Sequence, residues 1–315
     1  MSRAAAVLGC GWLAGCAARV EVPGPVPAAD PTPRWGELLG RAAATGLVDY
    51  TLLEAERGTL HEQLAWVGSH GPITNRWRES QEDMTLAFLI NAYNAGILEA
   101  VLQRQPLGSV MDVEHGPYAL KRGASFFLGQ EMKVDSEWVT FYHLEIHAIV
   151  NRYQEPLVHA ALNCASRSCP PLAFYKPTKL QVQLKAAMRD WLYGDGLVCD
   201  DTGCTANAIF DWYEDDFLDW SDARTLCEWM VPHAADPTEK AWLEAHTEDC
   251  PLQFAPYDWG LNRLDPANPP VRVRAPGAVE PEEAPFAEAG LDGDGPAGEA
   301  GGPDADAPDA NADAP

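Results

Sequence analysis

The chain has 315 residues, 46% hydrophobic and 22% charged, a globular composition with enough apolar material for a sizeable core. Its formal net charge of −25 sets it against nucleic acid and anionic lipid surfaces, because both repel an acidic protein. No Walker loop, Gly-x-Ser-x-Gly or His-Glu-x-x-His run occurs, so the usual P-loop nucleotide, serine-hydrolase and zinc-peptidase signatures are absent.

The chain opens "MSRAAAVLGCGWLAGC", with Arg3 as a positive start, an apolar stretch from Ala4 to Leu13 and a small-residue site ending in Cys16. The apolar run is too short to persist as a transmembrane helix, and the layout is that of a secretory signal. The "LAGC" ending resembles the lipobox of bacterial lipoproteins. That resemblance implies a signal peptide over residues 1–16, cleavage before Cys16 and lipidation of its sulfur. The expected place is the bacterial cell envelope, with the membrane as partner through that anchor. Ala17, where aspartate would mark inner-membrane retention, points to the outer membrane.

Residues 17–33 carry five prolines, a density that favours polyproline II, and read as a semi-rigid tether. A globular domain is expected over 34–274, within the ordinary single-domain size. Its strongest helix is "DMTLAFLINAYNAGILEAVLQRQP", where Leu86, Leu89, Ile90, Tyr93, Ile97, Val101 and Leu102 recur at helical spacing and Pro106 stops the run. "TFYHLEIHAIVNRY" and "LQVQLKAAMRDWLYG" repeat the pattern. "GLVCDDTGCTA" reads as a hairpin around Asp-Asp-Thr-Gly. "AIFDWYEDDFLDW" is an aromatic amphipathic helix, and "ARTLCEWMVPH" a short one. The expected fold is α+β: a helix-rich single domain with a small antiparallel sheet. From Pro276 onward there is no Lys or Arg among 11 acids, so residues 275–315 read as an acidic disordered tail.

Six blocks occur in order: "VDYTLL" at Val48, "FLINAYNA" at Phe88, "FFLGQEMKVDSEWVTFYHLE" ending at Glu145, "VHAALNCASRSCPPL" at Val158, "IFDWYEDDF" at Ile209 and "YDWGLN" at Tyr257. Over residues 48–262 the chain resembles domain-of-unknown-function family 547, whose most distinctive block is Asn-Cys-x4-Cys-Pro. The family's usual tryptophan before Ile-Asn-x-Tyr-Asn is Leu89 here. The histidine that usually follows the Glu145 position is Ile146, with His147 one place later. The resemblance implies a domain and, among bacterial members, a secretion signal; it implies no activity.

Beyond Cys10 and Cys16, six cysteines remain, and an even number in an oxidising envelope favours disulfides. A hairpin would face Cys199 with Cys204, leaving Cys227 and Cys250 to pair by elimination. Cys164 and Cys169 carry three readings. They form a bridge that pins a tight loop, or a thiol site, or a zinc site with His159, whose His-x4-Cys-x4-Cys spacing lacks a second close pair. A thiol site needs a base and oxyanion donors. Cys164 is the better nucleophile, because Ala165 after it keeps an N–H whereas Pro170 after Cys169 has none. His159 or His147 would be the base, Glu145 its orienter and Asn163 an oxyanion donor; His143 lies close in sequence.

Asn91 and Asn94, three apart on an apolar helix, share a face that should be buried and hydrogen-bonded. Either they fasten the helix to a neighbouring loop, or they line a pocket beside the cysteine loop together with Ser166 and Cys169. Asp211, Glu214, Asp215 and Asp216 lack a twelve-residue calcium loop and read as the solvated face of their helix. No metal and no cofactor is expected. Two functions compete: a non-catalytic ligand- or partner-binding module, and a cysteine-dependent hydrolase or acyl transferase with Cys164 as nucleophile.

Overall fold

A computed structural model describes residues 18–77, 81–114 and 123–265. The signal segment 1–16 with Cys16, and the acidic tail 275–315, lie outside the described residues. Helices dominate: α1 Thr32–Ala42, α2 Tyr50–Ala55, α3 Arg57–Val67, α4 Glu82–Leu102, α5 Ala124–Phe127, α6 Asn151–Tyr153, α7 Leu180–Trp191, α8 Ala208–Trp212, α9 Glu214–Asp219, α10 Leu226–Met230 and α11 Pro237–Ala245. The helix-rich α+β class is as expected. There are two three-stranded mixed sheets, β1 Ala18–Arg19 with β2 Gln130–Val134 and β3 Glu137–Thr140, and β4 Leu197–Asp200 with β5 Gly203–Ala206 and β6 Gln253–Phe254. This small sheet content includes the antiparallel pairs β2–β3 and β4–β5. In each sheet, an antiparallel hairpin accepts a parallel two-residue strand from far along the chain. Two residues carry no periodicity, so these edge strands have no sequence signature.

The central element is α4, whose residues are buried almost without interruption from Thr85 to Leu102. A helix apolar on all sides belongs inside a core. It is long and apolar enough to cross a bilayer by length and composition, yet 94% of its most apolar stretch is covered by the protein. Gly96 permits the closest approach, because a Cβ there would collide with the Met132 sulfur and stand 3.0 Å from Phe141. Glu99, fully buried about one turn further along, receives Arg57 at 2.7 Å and His61 at 3.1 Å, which clamps α3 onto α4. A buried carboxylate needs such partners to offset its desolvation.

Two segments near the limits of the described residues close onto this core. At the start of the proline-rich segment, Val20 is buried, its N–H bonds the Glu131 carbonyl at 2.8 Å, and Arg19 stacks over Trp138 at 4.4 Å. Near residue 263, the Val48 carbonyl accepts from the Leu264 N–H at 2.8 Å, the Val48 N–H donates to the Asn262 carbonyl at 2.8 Å, and the Tyr50 hydroxyl donates to the Asn262 side chain at 2.8 Å.

Three cysteine pairs stand at disulfide distance: Cys164–Cys169, Cys199–Cys204 and Cys227–Cys250, with Cα separations of 6.2, 4.0 and 5.4 Å. Cys199 and Cys204 are direct cross-strand partners. Their turn is set by Asp200, whose carboxylate accepts from the Thr202 N–H at 2.7 Å, and by Gly203 at φ +135°.

Candidate functional site

After the short 3-10 helix Pro156–Ala160, residues 161–171 form a loop braced from within by one side chain. Asn163 is 2% exposed, and its amide spans the loop: Nδ2 donates to the Pro170 carbonyl at 2.7 Å, while Oδ1 accepts from the Ala165 N–H at 2.9 Å and from Asn262 at 3.0 Å. The Asn163 backbone N–H donates to Asn94 at 3.0 Å, and Asn94 returns a bond to the Ala161 carbonyl at 2.9 Å. Asn91 makes the same kind of two-way bond with the backbone of Tyr175, at 2.7 and 3.0 Å. Both helix asparagines thus fasten α4 to loops, and neither is among the residues lining the cavity beside the cysteine loop. The amides satisfy buried backbone groups that would otherwise be costly.

Ala165 adopts φ +64°, a left-handed conformation unfavourable for a residue with a Cβ. Beyond it the loop is sewn to the C-terminal segment, with Arg167 N–H to the Gly260 carbonyl at 2.8 Å and Asp258 N–H to Ser168 at 2.9 Å. This seam delivers Tyr257 to the sulfurs. Its hydroxyl lies 3.2 Å from Cys164 Sγ, 3.2 Å from Cys169 Sγ and 2.8 Å from the buried Ser166 hydroxyl.

The cysteine loop forms one wall of a cavity of about 300 Å³. The remaining wall is mostly apolar and aromatic, from Met111, Ala124, Phe127, Leu128, Ile146, Leu162, Ile209 and a cluster of Trp212, Tyr257 and Trp259. Trp212 is 48% exposed. Polar groups enter from two sides. Glu145 projects from His143–Val150, which is wound as a π-helix rather than the α-helix its apolar spacing suggests. Such turns recur at functional sites because they displace side chains from regular spacing. The Tyr93 hydroxyl donates to Glu145 at 2.5 Å and Tyr213 bonds the same carboxyl. Burial raises the Glu145 pKa above the ordinary carboxylate value, opposed by the Tyr93 bond, the nearby His159 and the Tyr213 bond. Burial likewise raises the pKa of Tyr93, Tyr213 and Tyr257, so all three remain neutral hydroxyls in the physiological range.

His159 is buried against Tyr213 and Phe217, and its Nε2 bonds Asp216 at 2.9 Å. Asp216 is therefore turned inward from the acidic face on which its helical neighbours suggest it sits. The helix expected over 208–220 breaks at Tyr213 into α8 and α9, which aims Tyr213 at Glu145 and Asp216 at His159. No hydrogen bond joins His159 to either sulfur. His147 is exposed, packed beside Tyr142 and His143, outside the cavity lining. The structure thus gathers Glu145, His159, Cys164 and Cys169 around one cavity. It commits Asn163 and the Ala165 N–H to each other and leaves His147 outside. Among the described residues no group of three or more His, Cys, Asp or Glu side chains is placed to hold a metal.

The model of the family described as "Protein of unknown function, DUF547" matches residues 77–192. The match lies in the middle of the chain and covers less than half of its length. No curated protein and no solved structure matches the chain. The matched stretch supplies Tyr93, Glu145, His159 and both cysteines. Tyr213 and Tyr257, which complete the cavity, Asp216, which bonds His159, and Asn262, which braces the cysteine loop, lie outside it. Tyr93, Tyr213, Tyr257 and Asp216 had no separate signal in the sequence as site residues. "YDWGLN" marked the Tyr257 region as a block, but only the fold brings it to the sulfurs.

Proposed function

We propose that this chain is an envelope lipoprotein whose DUF547 domain is a binding module for a compact, mostly apolar small molecule. The observation that carries the reading is the cavity: about 300 Å³, aromatic and aliphatic over most of its wall, with a few convergent polar groups. That volume is at the small end of the ~300–1,000 Å³ typical of ligand sites, and the lining is of the usual kind. Glu145 on the wall disfavours an anion, so the ligand is neutral or cationic, with one hydrogen-bonding end for Glu145 and the tyrosines. The lipobox-like "LAGC" at residues 13–16 supports the anchor, and Cys16→Ser should move the protein from the detergent to the aqueous phase on partitioning.

A hydrolase centred on Cys164 draws less support. Its sulfur is paired with Cys169, the following N–H is spent on Asn163, and the Asn163 amide is spent on the loop. An oxyanion donor must be free to aim at the reacting atom.

The test is ligand-observed NMR with two neutral probes, indole and 4-methylphenol, on the full chain with the cysteine pairs closed. Saturable binding is expected, weakened about tenfold by Trp212→Ala at the partly exposed edge of the cavity. A filling change, Ala124→Trp, should abolish it. Binding that ignores both substitutions, or no saturable binding of either probe, overturns the reading.

A further inference from the structure

Each of the three cysteine pairs has one buried and one partly exposed member, so exposure alone does not single out the loop. The surroundings do. Cys169 Sγ accepts the Cys164 N–H at 3.0 Å and stands 3.2 Å from both the Ser166 and Tyr257 hydroxyls. Cys164 Sγ, on the cavity wall, has the same two hydroxyls at 3.4 and 3.2 Å but no backbone donor. The Cys227–Cys250 pair also has a backbone N–H on sulfur, at 2.9 Å, but no hydroxyl donor, and neither it nor the hairpin pair lines the cavity.

We propose that Cys164 and Cys169 are a redox-active pair that exchanges with small-molecule thiols entering the cavity. A neutral thiol RSH enters, gives up its proton to water and, as RS⁻, attacks Cys164 Sγ. The S–S bond breaks, and Cys169 leaves as a thiolate held by the N–H and the hydroxyls around it. A second thiol, deprotonated in the same way, attacks the mixed disulfide, releasing RSSR and the Cys164 thiolate. In sum, two thiols lose two electrons to form RSSR, and the two protons they gave up end on Cys164 and Cys169, so the protein disulfide becomes two thiols. The reverse sequence, with a disulfide as oxidant, restores the bridge.

Exchange is faster when the leaving sulfur is a better-stabilised thiolate, and hydrogen bonds to the charged form stabilise it. Three donor groups on Cys169 against two on Cys164 set the direction. Two hydroxyls that also bond each other cannot both donate everywhere at once, but the backbone N–H is fixed on Cys169. The loop also keeps its shape without the bridge, because Asn163 and the seam to 257–263 hold it from both sides. Opening the bridge therefore leaves the two thiols in place to close again.

The experiment uses the full chain purified without reductant, treated with benzyl mercaptan, acid-quenched, alkylated and read by peptide mass spectrometry. The expected early product carries the benzyl thiol on Cys164 and alkylation on Cys169, with Cys199–Cys204 and Cys227–Cys250 intact. Tyr257→Phe should slow this opening about tenfold and leave the opening of the hairpin pair unchanged. A benzyl adduct on Cys169, or opening of all three pairs at one rate, overturns the proposal. So does a Tyr257→Phe variant that opens as fast as the parent. The proposal shares the cavity with the binding reading but not its ligand. Probe binding is measured with the pair closed, so lost exchange with intact probe binding removes this inference alone.

Discussion

The Cys164–Cys169 loop and the Cys199–Cys204 hairpin join cysteines five positions apart, at Cα separations of 6.2 and 4.0 Å. The hairpin's cysteines and turn are held by its own ladder and by Asp200, with its outer end in solvent, while β6 from residues 253–254 pairs only the inner end of β5. The loop is held by groups from elsewhere: Asn94 on α4, Asn262 and Tyr257 near the C-terminal end of the domain. The contacts that place Cys199 against Cys204 are local in sequence, whereas those that shape the loop are long-range. Equal spacing thus conceals a local staple in one case and, in the other, a wall of a cavity with polar groups placed on the sulfurs. Spacing and compartment predict a bond; only long-range contacts distinguish a staple from a site.

The comparison is broken most severely at Asn163. Asn163→Ala leaves the Ala165 N–H, the Pro170 carbonyl and the Asn262 amide without their buried partner, and at ~1–3 kcal/mol for each unsatisfied group the loss should exceed about 3 kcal/mol. The hairpin counterpart, Thr202→Ala, removes one exposed bond to Asp200 and should cost under about 1 kcal/mol. Urea denaturation of the two variants checks this, and comparable losses would show that the loop has no special dependence on its asparagine.

Removing the bridges comes next. In the chain-entropy picture, the separation of 23 residues makes Cys227–Cys250 worth about 3 kcal/mol and the separation of 5 makes each short bridge worth about 2 kcal/mol. Double replacement by alanine should follow that order. The two short pairs should still differ, because Cys164→Ala with Cys169→Ala also deprives the Cys164 N–H of its acceptor. An additional loss of about 1 kcal/mol over the hairpin variant is expected, and thermal unfolding of both would reveal equal losses if the surroundings contribute nothing.

What could be read from the sequence follows the same division. The core of α4, the helix at 180–191, the hairpin and the shared face of Asn91 and Asn94 are legible because each depends on neighbours within a few residues. The two parallel edge strands are not, since two residues from 18–19 and 253–254 acquire meaning only beside partners far away. Nor is the π-helical winding at 143–150, which places Glu145 and Ile146 in the cavity and His147 outside it. Asp216 reads as one of several solvated acids until the break at Tyr213 turns it toward His159, 57 positions away. Tyr257, 93 positions from Cys164, carries no mark of its role beyond being a tyrosine in a recurrent block. The cysteine loop was legible as a place of interest, but its chemistry depends on residues that only folding assembles.

The smallest expected effect concerns the polar group facing the cysteines across the cavity. Burial raises the Glu145 pKa, so the folded protein holds this proton to higher pH than the unfolded chain does. Between the ordinary carboxylate value and the raised one, the folded state binds more protons, and stability must fall as pH rises through that window. Glu145→Gln removes the titration while keeping an oxygen for the Tyr93 hydroxyl. The variant should match the parent in thermal stability at pH 4 and exceed it at pH 8, with the gap opening above the ordinary carboxylate pKa. Opening of the hairpin pair by thiols should not respond, because that pair does not line the cavity. A parent whose stability rises with pH relative to the glutamine variant would mean that Tyr93, Tyr213 and His159 overcome the burial cost. Glu145 would then be a stably charged carboxylate facing the cavity, and the site would favour a cationic ligand over a neutral one.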